Sequence, residues 1–234
     1  MAWNGKSVLA IIPARGGSKR VIGKNLRKIG GIPLVERSII TALKCDLIDN
    51  VCVSSDEPES LLIANKYEKV IGLKRPDEIS DDKAPAIDYV KHALKEIGNH
   101  DLVIILQPSS PFTTSEDIVN TINQLDFENG IEASVSIMEV DQEYNPLKLK
   151  KLNGKYLEPF FEKENGKVAA HEIPKLYTRN GSVYVVSKNL VEQGIVISDI
   201  SNGYIMPRER SVDINTEYDL KIAEFLYQTM QDEI

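Results

Sequence analysis

Short apolar runs, separated by polar and glycine-containing segments, recur along this chain. Four of them predict β-strands at 8–14, 51–54, 102–107 and 133–140. The first and third runs consist almost entirely of valine, isoleucine, leucine and alanine, which is typical of strands buried on both faces of a parallel sheet. We therefore predict that these two runs are parallel core strands.

Helical periodicity lies between and after the predicted strands. One predicted helix face comprises Ile87, Val90, Leu94 and Ile97, and a second comprises Ile118, Ile122 and Leu125. Thr113 and Glu116 have the spacing of a capping box for the second helix, and Thr216 and Asp219 predict the start of a last helix over 217–230. This alternation predicts an α/β fold, a Rossmann-like and mainly parallel sheet covered by helices on both faces.

The segment 141–178 differs from the rest of the chain in its pattern of apolar and charged residues. Gly154 and Gly166 interrupt mixed-charge stretches without a long apolar run, which indicates hairpins that leave the main sheet before core-like sequence resumes at 181–186. We predict one domain over 1–234, with 141–178 as an excursion used for dimerisation and substrate binding. The excursion's aromatic residues could pack against the second subunit of a homodimer or form a local satellite core; they are Tyr156, Phe160, Phe161 and Tyr177.

Charge is distributed unevenly along the chain. The first 35 residues contain seven basic and no acidic side chains, whereas the remaining 199 contain 21 basic and 35 acidic ones. The acidic whole disfavours nucleic acid as a partner, and the local basic segment favours a compact polyanion such as a polyphosphate. No apolar stretch of membrane-spanning length or signal-peptide pattern is present, so we expect no membrane partner and a cytoplasmic location. Cys45 and Cys52 lie in or beside apolar runs and are predicted to be reduced core thiols.

Ligands of open α/β sheets bind beyond the carboxyl ends of the strands, where three polar segments follow predicted strands here, at 15–18, 54–56 and 107–111. Gly16 and Gly17 allow positive φ and a close approach of backbone N–H groups to phosphate oxygens, while Arg15, Lys19 and Lys24 supply positive charge. The pattern is not a Walker A loop, because five residues separate the second glycine from the Gly-Lys pair. A G-x-G-x-x-G dinucleotide motif is also absent from the sequence.

The run Ile-Pro-Ala-Arg-Gly-Gly-Ser-Lys-Arg at 12–20, followed by Gly-Lys-Asn at 23–25, resembles the signature of the acylneuraminate cytidylyltransferase family, which activates sialic acids and related nine-carbon sugar acids. Further segments that match this family are 54–56, 74–76, 106–111, 145–148, 179–184 and 212–217. Enzymes that activate the eight-carbon acid KDO share the first run but usually have proline where Asn25 stands. The resemblance extends along nearly the whole chain.

The resemblance implies transfer of CMP from CTP to the anomeric hydroxyl of a 2-keto sugar acid, with release of pyrophosphate and with Mg²⁺ as cofactor. It assigns nucleotide binding to Arg15, Gly16, Gly17, Ser18, Lys24, Asn25 and Arg75, and places Arg15 and Lys24 on the phosphates as catalytic residues. The family commonly presents Asp-x-Asp before its last helix. The corresponding pair here is Asp213 and Asn215, so we expect Asp213 to ligate Mg²⁺ and Asn215 to contribute weakly.

On the sugar-acid side, the resemblance assigns Gln107 to hydroxyl or N-acyl groups and Lys148 or Arg179 to the carboxylate. Many relatives have an Arg-Gln pair where this chain has Ala-His-Glu at 170–172, which leaves N-acetylneuraminate, legionaminate-like and pseudaminate-like acids open as substrates. His171 could contact the sugar or be an exposed loop residue. Two alternatives to the main function are a related nucleotidyltransferase acting on KDO and a CTP-binding module without catalytic activity.

Overall fold

The computed structural model describes residues 3–161 and 174–231. Its strands are β1 (Val8–Pro13), β2 (Lys28–Ile29), β3 (Ile32–Pro33), β4 (Asn50–Ser55), β5 (Val70–Lys74), β6 (Leu102–Leu106), β7 (Ala133–Glu139), β8 (Lys150–Asn153), β9 (Tyr156–Pro159), β10 (Tyr177–Ser187) and β11 (Asn202–Ile205). Its helices are α1 (Leu34–Leu43), α2 (Pro58–Ala64), α3 (Ala86–Ile97), α4 (Ser115–Ile122), α5 (Lys188–Glu192) and α6 (Glu217–Gln231).

Seven strands form the central sheet, in the order β11-β7-β10-β6-β1-β4-β5. β1 pairs in parallel with β4 and β6, and β5 extends the parallel part beyond β4. β10 runs antiparallel to both of its neighbours, β6 and β7, and β11 pairs in parallel with β7. The sheet is therefore mainly parallel with one reversed strand, which confirms the predicted fold class.

The continuous apolar runs form the centre of the sheet because both of its faces are covered. Alternate residues of β1 point to opposite faces: Val8, Ala10 and Ile12 pack with α1, α2 and α4, whereas Leu9 and Ile11 pack with α3 and α5. All five of these side chains are fully buried. Such two-sided burial requires apolar residues at every position of the strand, which explains why β1 and β6 lack a polar face.

The predicted packing face of α3 is confirmed, whereas the predicted capping box of α4 needs correction. Val90 and Leu94 of α3 are buried, Ile87 and Ile97 are half-buried and pack against the same cluster, and Tyr89 and Ala93 widen the packed face. The capping box of α4 is formed by Thr114 and Asp117, because the Thr113 hydroxyl instead donates to the Ser110 carbonyl. The predicted start of α6 is confirmed, since Thr216 and Asp219 exchange hydrogen bonds there.

A third apolar cluster joins the small β2–β3 hairpin to α6. It contains Val21, Ile29, Leu34, Phe112, Ile214, Leu220 and Ala223. The cluster fixes the segment that follows β1 against the segment that precedes α6. Because these two segments carry predicted nucleotide and metal residues, their packing sets the distance between the two groups.

Part of the predicted excursion is described. β8 and β9 form a two-stranded hairpin apart from the central sheet, and the chain has rejoined that sheet by Tyr177, where β10 begins. Residues 162–173, which include Gly166 and His171, lie outside the described residues. Cys45 and Cys52 are buried and unpaired, as predicted, and burial raises the pKa of the Cys52 thiol to about 12. Among the described helices, none combines the length and apolar character needed to cross a membrane.

Candidate functional site

The segments that follow β1, β5 and β6 converge on one cleft of about 520 Å³, whereas the predicted polar segment at 54–56, after β4, is not part of its lining. The cleft is lined by Pro13, Arg15, Ser18, Lys19, Arg20, Lys24, Asn25, Arg75, Asp81, Asp82, Ala84, Ala86, Tyr89, Gln107, Pro108, Ser109 and Asn215. Its position at the carboxyl ends of parallel strands is the usual location of ligands in open α/β sheets. Five of the residues predicted to bind the nucleotide thus share one concave surface with Gln107 and Asn215: Arg15, Ser18, Lys24, Asn25 and Arg75. Gly16, Gly17 and Asp213 are not among the residues that line it.

The loop after β1 is held by side chains from its neighbours. The Gly16 N–H donates to Asp56 Oδ1 at 2.8 Å, and the buried Asn25 donates from Nδ2 to the Arg15 carbonyl at 2.9 Å. Gly16 and Gly17 do not adopt positive φ, in contrast to the sequence-based expectation; in this segment Gly23 does, at 59°. Gly16 instead meets a steric requirement, because a Cβ there would lie 3.2 Å from Glu57 Cβ.

Arg15 and Lys19 meet a carboxylate in the cleft. Arg15 Nη1 lies 2.5 Å from Asp82 Oδ1, and Lys19 Nζ forms an ion pair with the other Asp82 oxygen. The Arg15 and Asp82 side chains are each about one-third exposed, at 35% and 33%, and Lys19 is 82% exposed. Both cations therefore face the solvent side of the cleft, where an incoming anion can reach them.

Arg75 is a buried cation at the floor of the cleft. Its Nε donates to Ser54 Oγ at 3.1 Å, its Nη2 donates to the Ser54 carbonyl at 2.9 Å, and its guanidinium stacks over the Tyr89 ring at 4.7 Å. Burial lowers the pKa of Arg75, and nearby Tyr89 and Asp56 oppose that shift. The side chain is thus held in one orientation, with its planar fork fixed by β4 and α3.

Lys24 is the second partly buried cation. Its Nζ donates to the Ile214 carbonyl at 3.1 Å, which ties the loop after β1 to the segment before α6. Burial lowers the pKa of Lys24 from the ordinary lysine value of 10.5, and the charge of Asp213 offsets part of this shift. An ammonium that has already lost much of its hydration is well suited to bind phosphate oxygens, because little solvent remains to be displaced.

The predicted metal pair is in contact at the edge of the cleft. Asn215 Nδ2 donates to Asp213 Oδ2 at 2.6 Å, and Asn215 Oδ1 accepts from Arg20 Nη2 at 3.1 Å. In the part of the chain that the structure describes, no cluster of three or more histidine, cysteine, aspartate or glutamate side chains is arranged to hold a metal ion. One carboxylate fits an Mg²⁺ ion that is carried mainly by phosphate oxygens and water, but does not form an all-protein cage.

The residues predicted for the sugar acid are more widely spread. Gln107 directly follows β6, lines the cleft, and donates its backbone N–H to the Ser182 carbonyl at 3.1 Å. Lys148 is exposed and is not among the residues that line the cleft, and Arg179 lines a separate small cavity beside Tyr184. Burial raises the pKa of Tyr184, and the nearby charge of Arg179 opposes that shift.

Sequence reasoning did not assign roles to Asp82, Tyr89 or Arg20. Tyr89 has the spacing of a core-facing helical residue, and only the fold shows that its ring supports Arg75. Asp82 lies seven residues after Arg75 in an irregular segment without a recognisable motif. The one available signal for Arg20 was its place in the basic run after β1.

Proteins of known activity are similar to this chain along most of its length. A family model described as Cytidylyltransferase matches residues 9–221. The pseudaminic acid cytidylyltransferase of Campylobacter jejuni subsp. jejuni serotype O:2 is 30% identical, with 94% of this chain and 96% of that protein covered. The N-acylneuraminate cytidylyltransferase of Escherichia coli O18:K1:H7 is 29% identical over 94% of this chain, which spans about half (52%) of that protein's length.

A solved structure supports the fold independently of close sequence similarity. CMP:2-keto-3-deoxy-manno-octonic acid synthetase, in complex with CTP, matches with a TM-score of 0.69 at 17% sequence identity. The match covers 97% of this chain and 100% of the other. At this level of identity, the likeness shows a common α/β architecture.

Proposed function

The chain belongs to the cytidylyltransferase family, and from this premise we propose that it transfers CMP from CTP to the anomeric hydroxyl of a nine-carbon 2-keto sugar acid, releasing pyrophosphate. The observation that carries the proposal is the convergence of Arg15, Lys19, Lys24 and Arg75 in one cleft at the carboxyl ends of the strands. Such a density of cations suits a triphosphate, and the neighbouring polar surface leaves room for an acceptor.

The reaction requires an oxygen nucleophile to approach the α-phosphorus opposite the departing pyrophosphate. Catalysis of this kind depends mainly on positioning and on neutralising the charge that develops on the phosphate oxygens. Arg15 and Lys24 are assigned to the phosphates, because both cations line the cleft. Arg15 lies at its open side, and Lys24 is partly buried within it. Arg75 provides a fixed cation on the floor, and Ser18 and Asn25 complete the nucleotide-binding wall.

Asp213 and Asn215 are assigned to Mg²⁺. The ion would be held by Asp213 together with phosphate oxygens of CTP, and it would supply Lewis-acid stabilisation of the charge on those oxygens. The bond from Asn215 to Asp213 orients the carboxylate.

One residue of the nucleotide-binding loop distinguishes this chain from the enzymes that activate KDO. The enzymes that activate KDO usually have proline at the position of Asn25, and proline could not make the side-chain bond that Asn25 Nδ2 donates to the Arg15 carbonyl. The Asn25 bond therefore represents a different way of fixing the loop that carries Arg15. Gln107 is the acceptor-side residue within the cleft. The family resemblance assigns Lys148 or Arg179 to the carboxylate of the sugar acid, although neither residue lines the cleft itself.

The β8–β9 hairpin supports a proposal of homodimer formation. Its exposed apolar side chains include Leu152, Tyr156 and Leu157, which are 70%, 68% and 71% exposed. A paired hairpin with such side chains is suited to packing against a second copy of the chain. Sedimentation should show a dimer at micromolar concentration, and a monomer would contradict the proposal. We also assign the enzyme to the cytoplasm, where its two free buried thiols would stay reduced.

The main test is pyrophosphate release with CTP and Mg²⁺ against N-acetylneuraminate, a diacetyllegionaminate, a pseudaminate and KDO in parallel, with ATP, GTP and UTP as nucleotide controls. We expect CTP-dependent release with one of the nine-carbon acids, and Arg15→Ala should abolish it. Activity with KDO alone would establish the KDO alternative. CTP binding without release for any acid would indicate the non-catalytic module.

A further inference from the structure

Asp82 connects the two most accessible cations of the cleft. One carboxylate oxygen lies 2.5 Å from Arg15 Nη1, and the other contacts Lys19 Nζ. These are the groups that an incoming polyphosphate would meet first, since Arg75 and Lys24 lie deeper. The Asp82 carboxylate therefore occupies the position relative to Arg15 and Lys19 that a phosphate group would need.

The backbone around Asp82 presents it towards these cations. Asp81 Oδ1 accepts hydrogen bonds from the backbone N–H groups of Lys83 and Ala84, both at 2.7 Å. This side-chain turn fixes the local bend and leaves the next carboxylate, that of Asp82, directed at the loop after β1. Asp81 and Asp82 thus have separate tasks, although both line the cleft.

Asp82 is ionised at neutral pH. Hydrogen bonds from Lys19 and Arg15 hold the pKa of its carboxyl group below the ordinary value of 3.8. Asp82 therefore repels phosphate oxygens and neutralises part of the charge that would attract them. A polyphosphate must either displace this carboxylate or bind beside it against repulsion, and both routes reduce its affinity.

We propose that Asp82 is an internal competitor for the polyphosphate, which weakens the hold of Arg15 and Lys19 on nucleotide and pyrophosphate and so assists release of the product. The inference rests on the proposed function, because it takes the cleft as the triphosphate site. It adds a residue that sets how tightly that site binds. When pyrophosphate leaves, Asp82 returns to Arg15 and Lys19, so the cations are not left without a partner.

The expected gain in polyphosphate affinity depends on how exposed the Asp82 ion pairs are. Ion pairs between partly exposed groups are weak and are screened by salt, so removal of the Asp82 charge should tighten binding moderately rather than by orders of magnitude. We expect an increase in affinity of about threefold to tenfold at low ionic strength. The increase should shrink at about 0.5 M salt, where surface charges are strongly screened.

The test is calorimetric titration of the full chain with inorganic pyrophosphate, without Mg²⁺ or sugar acid. Asp82→Asn should bind pyrophosphate about threefold to tenfold more tightly than the unmodified protein. Asp81→Asn is the matched control: it removes the same charge one residue away and keeps an oxygen for the Lys83 and Ala84 N–H groups, so its gain should stay below about twofold.

A second comparison ties the effect to the observed contacts. In a Lys19→Ala background, Asp82→Asn should give a smaller gain, because one of the two cations that the carboxylate neutralises is already absent. Unchanged or weaker binding by Asp82→Asn, equal gains for both aspartates, or no pyrophosphate binding by any variant would overturn the inference. Tighter pyrophosphate binding without turnover on any sugar acid would instead sink the proposed function alone.

Discussion

Asn215 Nδ2 donates a hydrogen bond to Asp213 Oδ2 at 2.6 Å, while Asn215 Oδ1 accepts one from Arg20 Nη2. Asn215 is therefore engaged on both sides of its amide by protein groups. Its oxygen, the atom that could bind a metal ion, faces a guanidinium. Asp213 is consequently the member of the pair that can give a carboxylate oxygen to Mg²⁺ without first losing a bond to Arg20.

Asn215→Asp should strengthen the binding of Mg²⁺, so that less Mg²⁺ is needed for activity. The substitution replaces the donating amide with a second carboxylate next to Asp213, and a divalent cation relieves the resulting repulsion. We expect the Mg²⁺ concentration for half-maximal pyrophosphate release to fall roughly tenfold. Asn215→Ala is the control, because it removes the amide without adding charge and should give no such gain. A Mg²⁺ requirement that is the same in all three proteins would contradict the assignment of this pair.

The Tyr89 ring should support CTP binding through Arg75. Tyr89→Leu removes the ring on which the guanidinium stacks at 4.7 Å and allows Arg75 more freedom, so the KM for CTP should rise by about fivefold to tenfold. Tyr89→Phe keeps the ring and should stay within about twofold of the unmodified protein. Steady-state kinetics with CTP as the varied substrate distinguish the two variants. Equal KM values for Leu and Phe would show that the stack does not position Arg75 for the nucleotide.

The strands of the parallel core were predictable because their physical requirement is local. β1 and β6 are covered on both faces, so every position must be apolar, and this leaves an unbroken run in the sequence. The direction of β10 could not be read in this way. Its buried core positions Val183, Val185 and Val186 have the same apolar character as those of a parallel strand, so nothing in them records that β10 pairs antiparallel with β6 and β7.

The residues of the candidate site that belong to a sequence motif could be predicted. Those that depend only on tertiary packing could not. Arg15, Lys24 and Asn25 lie in one continuous signature, and the fold brings Arg75 and Gln107 to the same cleft. The contact of Tyr89 with Arg75 could not be predicted, because a tyrosine on an amphipathic helix has the same spacing whether it packs on a strand or on an arginine. Asp82 was hidden because no periodicity predicts which carboxylate of an irregular segment meets the cations after β1.

The pair of Arg210 and Asp117 should make stability depend on acidic pH. Arg210 Nη2 lies 2.6 Å from Oδ1 of the fully buried Asp117. Burial alone would raise the pKa of Asp117, but hydrogen bonds from Arg210 and Thr114 outweigh it and lower the pKa below 3.8. A depressed carboxyl pKa gives stability that is present above the unfolded-state pKa, about 3.9, and is lost as the pH falls through the lower folded-state pKa.

Arg210→Met should therefore cost about 3 kcal/mol of unfolding free energy at pH 7, because it leaves a buried carboxylate without its cation. The deficit should shrink as the pH falls through the pKa of Asp117 in the variant, because that pKa is higher once the lowering effect of Arg210 is lost. Urea denaturation at a series of pH values measures both effects. Arg208→Met is the control: Arg208 pairs with Asp141 at a more exposed position, with 67% of its side chain accessible, and should cost about 0.5 kcal/mol. A deficit for Arg210→Met that is independent of pH would contradict this account.

Gly30 lies where the β2–β3 turn meets α6. Its φ is 57°, and a Cβ built there would lie 1.9 Å from Tyr227 Cε1, inside the ring that Arg37 covers at 4.7 Å. Gly31 has a φ of 81°, yet a Cβ at that position would have no atom within 4 Å. The two adjacent glycines therefore share the conformational penalty for an added side chain but differ in the steric one.

Gly31→Ala should cost about 1 kcal/mol of unfolding free energy, the usual penalty for a left-handed residue with a Cβ. Gly30→Ala should cost about 3 kcal/mol, because the Tyr227 ring must also move and α6 must shift away from the hairpin. Urea denaturation of the two variants gives the difference directly. In a Tyr227→Ala background the Gly30→Ala cost should drop to about that of Gly31→Ala, since the added methyl group then meets no ring. Equal costs for the two glycines in the unmodified background would show that the hairpin and α6 are not in the close contact described.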